Sequence, residues 1–148
     1  ASSYHYIGAE AKKADGGWET LGDFGWLDAD GYLYLADRRA DMIISGGANI
    51  FPAEIEAALA EHPGVDSAVA IGLPDDDMGQ LVHAIVHPRA EWRDRLDTDA
   101  LRDFMADRLA RYKTPRTYEF VDAPLRDDAG KVRRSQLRQD RIDGAGKA

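Results

Sequence analysis

The pattern of apolar and polar positions changes period several times along the chain, and each change marks a predicted element. Between Trp18 and Arg38 the two kinds of residue alternate around Asp28-Ala29-Asp30-Gly31, with Trp26-Leu27 before that turn and Tyr32-Leu33-Tyr34-Leu35 after it, which predicts a β-hairpin. Met42-Ile43-Ile44 is a short β-branched-rich run. It is broken by Ser45-Gly46-Gly47, residues that tolerate positive φ and let another molecule approach the backbone closely. Pro52 then opens a helix over residues 53–62, where Glu54 and Glu56 carry negative charge favoured by the helix dipole. Ile55, Ala58 and Leu59 recur there at helical spacing, and Pro63-Gly64 stops the run.

Residues 65–73 and 81–87 read as strands, separated by the turn-rich Pro74-Asp75-Asp76-Asp77-Met78-Gly79. Thr98 can cap a helix reaching to about residue 110, with Leu101, Phe104, Met105 and Leu109 on one apolar face. A third strand is predicted over 117–121, a polar loop over 124–130 and a last helix from 134 to about 141. Residues 1–17 are polar and without clear period, which reads as a loosely ordered segment or the cut end of something larger. The alternation of elements predicts an α+β unit, a small sheet covered by helices and preceded by a β-hairpin.

Composition narrows the functional classes. A chain of 148 residues can hold one domain with a real core, or a smaller domain with an appendage. Its net charge of −8 argues against nucleic acid or an anionic membrane as partner, since both need a positive field. Cysteine is absent, which removes disulfides and thiolate chemistry and fits a reducing compartment. No run approaches the ~20 apolar residues that cross a bilayer, and the start lacks the apolar stretch of a signal peptide. The expectation is a cytoplasmic protein without a transmembrane segment.

Four groups of residues could carry chemistry. Asp23, in Leu21-Gly22-Asp23-Phe24-Gly25, can accept hydrogen bonds from two vicinal hydroxyls or simply close a turn. Arg38 offers a planar fork of donors to an anion, or a surface ion pair to Asp37 or Asp41. Lys131 follows the Asp127-Asp128-Ala129-Gly130 loop, which reads as flexible; it is a solvated lysine or a cation that meets charge developing on a phosphate. Tyr112 and Lys113, in Arg111-Tyr112-Lys113-Thr114-Pro115, can stack on a base and meet phosphates, or end a helix with basic residues facing its dipole. His5, His62, His83 and His87 are scattered, with His83 and His87 on one side of a strand by period two, so no metal site is expected. Ser45 and Ser135 have no histidine in a triad-like local motif.

Residues 37–56, DRRADMIISGGANIFPAEIE, closely resemble the core signature that opens the C-terminal domain of adenylate-forming enzymes: acyl-CoA synthetases, firefly luciferase and the adenylation domains of peptide synthetases. Upstream, GDFGWLDADGYLYLADR is similar to the family's ribose-binding aspartate and the strands leading to its hinge, and GKVRRSQLR is similar to its catalytic-lysine motif. The resemblance implies that residues 1–38 are the tail of a large N-terminal AMP-binding domain and 39–148 the C-terminal domain. No Gly/Ser/Thr-rich phosphate loop occurs here, so the large domain with the acid pocket is implied as the missing partner. The implied activity is that of an acyl-CoA synthetase, which joins a carboxylic acid to Mg-bound ATP as an acyl-adenylate and passes the acyl group to CoA. The fragment alone is then expected to be inactive.

By the same resemblance Asp23 grips the ribose, Arg38 reaches the ribose and phosphates, Ala40 is the hinge and Lys131 catalyses adenylation. Gly46 and Gly47 line the pantetheine passage, and Tyr112 and Lys113 contact the nucleotide end of CoA. The sequence departs from the family pattern at Leu21 (usually Thr), Ala40 (commonly Asp or Lys), Met78 (often aromatic) and Thr114 (often Arg). Two rivals remain: an adenylation domain that loads a carrier protein, and a non-catalytic ligand-binding or interaction module of the same small fold. The first usually shows a more basic glycine loop and an acidic residue soon after the lysine, where this chain has Val132-Arg133.

Overall fold

The computed structural model describes residues 13, 16, 18, 20 and 22–145, and the chain divides into two compact units, 1–40 and 41–148. Apart from Lys13 and Gly16, the expectation for residues 1–17 lies outside the described residues, as does Leu21.

In the first unit β1 (Asp23–Leu27) and β2 (Leu33–Arg38) form an antiparallel hairpin. Asp28 builds the turn: its Oδ1 accepts the N–H groups of Asp30 and Tyr32 at 3.0 and 2.9 Å, and its Oδ2 accepts the Tyr34 hydroxyl at 2.9 Å. These donors, the Tyr32 N–H foremost, hold its carboxyl below the ordinary aspartate value. Trp26 and Tyr34 face each other in register and stack with ring centroids 5.3 Å apart. A bulge separates Phe24 from Gly25, and a β-carbon at Gly25 would run into the Tyr34 carbonyl oxygen, so the strand needs glycine there. The ribbon leaves large apolar side chains exposed, among them Trp26, Leu27, Leu33 and Leu35.

The second unit opens on a tighter hairpin, β3 (Ile43–Ser45) and β4 (Ala48–Ile50). Gly46 and Gly47 have φ of +55° and +80°, the two-residue turn whose twist suits the strands it joins. The hydrophobic pattern predicts no strand after the glycines, because three residues are too few to show alternation. Helix α1 (Pro52–Ala60) starts on its proline and buries Ile55, Ala58 and Leu59, as their spacing predicts. Glu56 departs from expectation: it is buried at 9 % exposure and bonded within the fold rather than displayed to the helix dipole.

The main sheet has the order β5-β6-β7. Strands β5 (Val65–Asp75) and β6 (Gly79–Pro88) pair antiparallel, and β7 (Thr117–Phe120) lies parallel to β6. β5 and β6 run longer than predicted because turn-forming residues stay in the ladder, Pro74 opposite Gln80 and Asp75 opposite Gly79. Asp75 Oδ1 then closes the reversal by accepting the N–H groups of Asp77 and Met78. Helix α2 (Thr98–Ala106) is capped by Asp97 rather than Thr98, the Asp97 carboxylate accepting the Ala100 N–H at 2.8 Å. It stops at Ala106, short of the predicted end, although Leu109 still packs on the core. Helix α3 (Arg134–Ala145) runs further than predicted, and Gln136–Asp140 and Gln139–Asp143 bonds brace its outer face.

Successive residues of β5 and β6 point to opposite faces, and both faces are covered, which explains their nearly continuous apolar runs. One face carries Ala68, Ala70, Val82 and Ala84 against Ile43, Ile50, Ile55, Leu59, Leu101 and Met105. The other carries Val69, Ile71 and Ile85 against Val132 and Leu137, seating α3 and the segment before it. The unit is the expected small α+β fold.

Candidate functional site

The hairpin register of the first unit puts two sequence-predicted site residues side by side. Asp23 is the partner of Arg38 across the ribbon, and the Arg38 Nε stands 3.7 Å from the Asp23 Oδ1. The ion pair of Arg38 is thus with Asp23, a residue the sequence treats separately, while its N–H bonds the Asp37 carboxylate. One step beyond the strands the Arg39 N–H donates to the Gly22 carbonyl at 2.7 Å. Asp23, Thr20, Lys13, Arg39 and Ala40 line a recess of about 440 Å³. A carboxylate beside cationic groups in one recess suits a ligand that presents hydroxyls together with negative charge.

In the second unit Lys131 leaves a hydrogen-bonded turn, 127–131. Asp127 Oδ1 accepts the N–H groups of Ala129 and Lys131 at 3.1 and 2.8 Å. The Asp127 backbone exchanges bonds with the Lys131 carbonyl and the Gly130 N–H. Gly130 takes φ +72° with open space where a β-carbon would stand. The Lys131 side chain is exposed and has no ion pair or hydrogen bond among the described residues, while the next residue, Val132, packs on the second core.

Both ends of that turn are tied to α1. Arg134 grips Glu56 with two nitrogens, Nη2 lying 2.8 and 2.7 Å from the two carboxylate oxygens and Nε 3.2 Å from Oε1. Arg126 approaches Glu56 at 3.6 Å and donates to the Gly130 carbonyl at 3.1 Å. The remaining Arg134 nitrogen, Nη1, reaches Asp41 at 3.3 Å. Residues 41, 56, 126 and 134 are thereby joined in one partly buried ionic group.

The glycine hairpin rests on the β5–β6 turn. The Gly46 N–H donates to the Met78 carbonyl at 2.9 Å, and a β-carbon at Gly46 would lie 2.5 Å from the Met78 methyl. At Gly47 the same position is open. Segment 111–116 sends its cations two ways. Lys113 turns to α1, its ammonium 2.7 Å from both Glu54 oxygens, and that hydrogen bonding raises its pKa above the usual lysine range. Tyr112 stays exposed, with the Lys113 nitrogen 5.8 Å from its ring centre. Arg111, Thr114 and Arg116 instead line a groove of about 550 Å³ with Arg102 of α2. The Arg111 and Arg116 guanidiniums have no ion pair among the described residues.

The AMP-binding enzyme C-terminal domain family matches residues 54–131, just over half of the chain. The chain belongs to this family. It is 45 % identical over 131 residues to the 2-succinylbenzoate–CoA ligase of Geobacillus kaustophilus, covering 88 % of this chain and 26 % of that relative. It is 42 % identical over 125 residues to the long-chain-fatty-acid–CoA ligase FadD13 of Mycobacterium tuberculosis, covering 84 % and 24 %. The solved o-succinylbenzoate CoA synthetase of Bacillus subtilis, in complex with its acyl-adenylate intermediate, matches at a TM-score of 0.74 and 39 % identity over 84 % of this chain and 25 % of that one. The chain spans about a quarter of the length of these relatives.

For an AMP-binding enzyme C-terminal domain, two groups escape a residue-by-residue reading of the sequence. The arginines of the groove stand apart in sequence, at 102, 111 and 116, and only folding gathers them. Asp41 and Arg134 lie at opposite ends of the unit. Glu56 did leave a signal: it precedes Leu59 by one helical turn on a face that also buries Ile55, and a charge placed there requires a partner.

Proposed function

We propose that the chain is the C-terminal part of an acyl-CoA synthetase, with the unit that ends near Arg39 completing a larger N-terminal domain and the residues beyond Ala40 forming the mobile C-terminal domain. The observation that carries this reading is Lys131, an unpaired ammonium presented by a hydrogen-bonded turn whose two ends are clamped to the core. In the first half-reaction a carboxylate oxygen attacks the α-phosphorus of Mg-bound ATP, the bond to the β-phosphate oxygen breaks, and pyrophosphate leaves. Lys131 spans the carboxylate and the phosphate as charge moves onto pyrophosphate, while Asp23 and Arg38 hold the ribose and phosphates. In the second the CoA sulfur attacks the acyl carbon and AMP leaves as the thiol gives up its proton. Gly46 and Gly47 line the approach of the thiol arm, Tyr112 and Lys113 meet the nucleotide end, and Arg111 and Arg116 add charge for its phosphates.

The two steps need two arrangements, and the chain supports a pivot at Ala40. Arg39 is held to Gly22 in the first unit and Asp41 to Arg134 in the second, so Ala40 is the residue left between two anchored neighbours. Relatives whose names give unlike acids, 2-succinylbenzoate and a long-chain fatty acid, are 45 % and 42 % identical to this chain, which supports placing acid choice elsewhere in the enzyme.

The test is Lys131→Ala in the full-length enzyme, with the half-reactions measured apart. Adenylation is expected to fall by about 10²–10³-fold, and thioester formation from a pre-made acyl-adenylate to continue. Equal loss in both would make Lys131 structural. Offering CoA and a pantetheinylated carrier protein side by side to the pre-made adenylate identifies the acceptor.

A further inference from the structure

We propose that Glu56 is a positioning residue for Lys131, acting through Arg126 and Arg134; this rests on the reading of Lys131 as the adenylation lysine. Glu56 sits on α1, far in sequence from the lysine, with its side chain 10 % exposed. Its carboxylate accepts the Ala70 N–H of β5 at 3.0 Å as well as the Arg134 fork. A single buried carboxylate therefore ties α1, the central sheet and the start of α3 together, and Arg126 extends it to the peptide bond before Lys131 through the Gly130 carbonyl.

Seating α3 does not require this arrangement. Val132 and Leu137 already pack on Val69, Ile71 and Ile85, and apolar contacts of that kind hold a helix without the desolvation cost of a buried charge. What packing leaves free is the direction in which an exposed turn points. Two guanidiniums converging on one carboxylate from either side of that turn fix it, because bidentate pairing is directional where hydrophobic contact is not. Glu56 touches no substrate in this scheme. Its effect is to keep the ammonium within the narrow range in which it meets the developing charge.

The experiment uses the full-length enzyme carrying this chain. Glu56→Gln keeps the size of the side chain and an acceptor for the Ala70 N–H but removes the charge that gathers the guanidiniums. Adenylation kcat is expected to fall about 10²-fold, the cost of misplacing a reacting group by about an ångström, with little change in KM for ATP or acid. Thioester formation from a pre-made acyl-adenylate should persist. Arg134→Lys, which keeps the charge but loses the fork, should fall between wild type and Glu56→Gln. The double variant Glu56→Gln/Arg134→Gln should be no slower than the slower single one, since both break one contact. If Glu56→Gln fails to fold, Arg126→Gln, at a half-exposed position, should give the same selective loss. Unchanged adenylation in a folded variant, or equal loss in both half-reactions, overturns the proposal. Lys131→Ala in the same assay separates the two readings: if it cripples adenylation and Glu56→Gln does not, only the role of Glu56 falls, whereas if it spares adenylation the lysine reading falls first.

Discussion

At the scale of single residues the glycine pair offers a clean separation of backbone strain from ligand access. Gly47 has φ +80°, so any side chain there pays the left-handed penalty of about 1–3 kcal/mol, but no atom waits within 4 Å of its β-carbon position. Gly47→Ala and Gly47→Leu are therefore expected to melt at nearly the same reduced temperature. If the turn lines the pantetheine passage, thioester formation in the full-length enzyme should fall further for Leu than for Ala, and acyl-adenylate should accumulate. Equal rates for the two variants in that step would reduce the glycines to a turn. The same substitutions at Gly46 are less informative, because Met78 stands in the way and must shift for any side chain. The sequence names Asp23, Arg38 and Lys131 as candidates but not what surrounds them. The pairing of Asp23 with Arg38 depends on strand register, and the Lys113–Glu54 pair on how a loop folds over α1; neither is encoded by local spacing.

At the scale of elements, periodicity located the helices and long strands and misjudged their ends, since caps and turns depend on one or two polar side chains. Asp97 displaced Thr98 as cap, and Asp75 let the ladder run into the turn. Polar clasps between elements were equally hidden. His83 of β6 is buried on the α3 side, with Nδ1 2.8 Å from the Thr117 hydroxyl and Nε2 3.3 Å from Glu119, which also pairs with Arg141 of α3. Burial outweighs the Glu119 carboxylate and lowers the His83 pKa below 6.5, so the folded state favours the neutral ring. The stability this contributes is fully present above the unfolded value and is lost as pH falls through the lower folded one. Burial pushes Glu119 upward, but Arg141 and His83 outweigh it and leave its pKa below 4.5, so its contribution fades only at still lower pH. His62 is depressed too, by burial and by Arg108, so its contribution is lost in the same direction as the pH falls. Unfolding free energy followed by denaturant from pH 7 to 5 is expected to decline, and His83→Gln to make that decline shallower with the His62 share remaining. An unchanged slope would remove His83 from the account.

At the scale of the whole molecule the family resemblance, rather than the local pattern, places a boundary near Arg38, and the structure divides the chain into units 1–40 and 41–148; the proposal of a pivot at Ala40 draws on the hydrogen bonds on either side of it. The Arg39 N–H extends the β1–β2 ladder by its bond to Gly22, and Asp41 is drawn to Arg134. On the proposed pivot, rotation would fall on the torsions of Ala40, which has no side chain beyond Cβ to latch either state. Ala40→Pro tests this directly. Proline fixes φ near −65° and narrows the choices of the residue before it, and at position 40 it removes an N–H that bonds no partner among the described residues. The substitution should thus leave both folded units intact and reduce the full-length enzyme to one arrangement. One half-reaction is expected to continue and the other to drop by about 10²-fold or more, with the melting temperature within a few degrees of wild type. Ala40→Gly, which widens the same torsions, should sustain both. Loss of both steps with a lowered melting temperature would mean that the proline strained the fold, and retention of both would move the pivot away from Ala40.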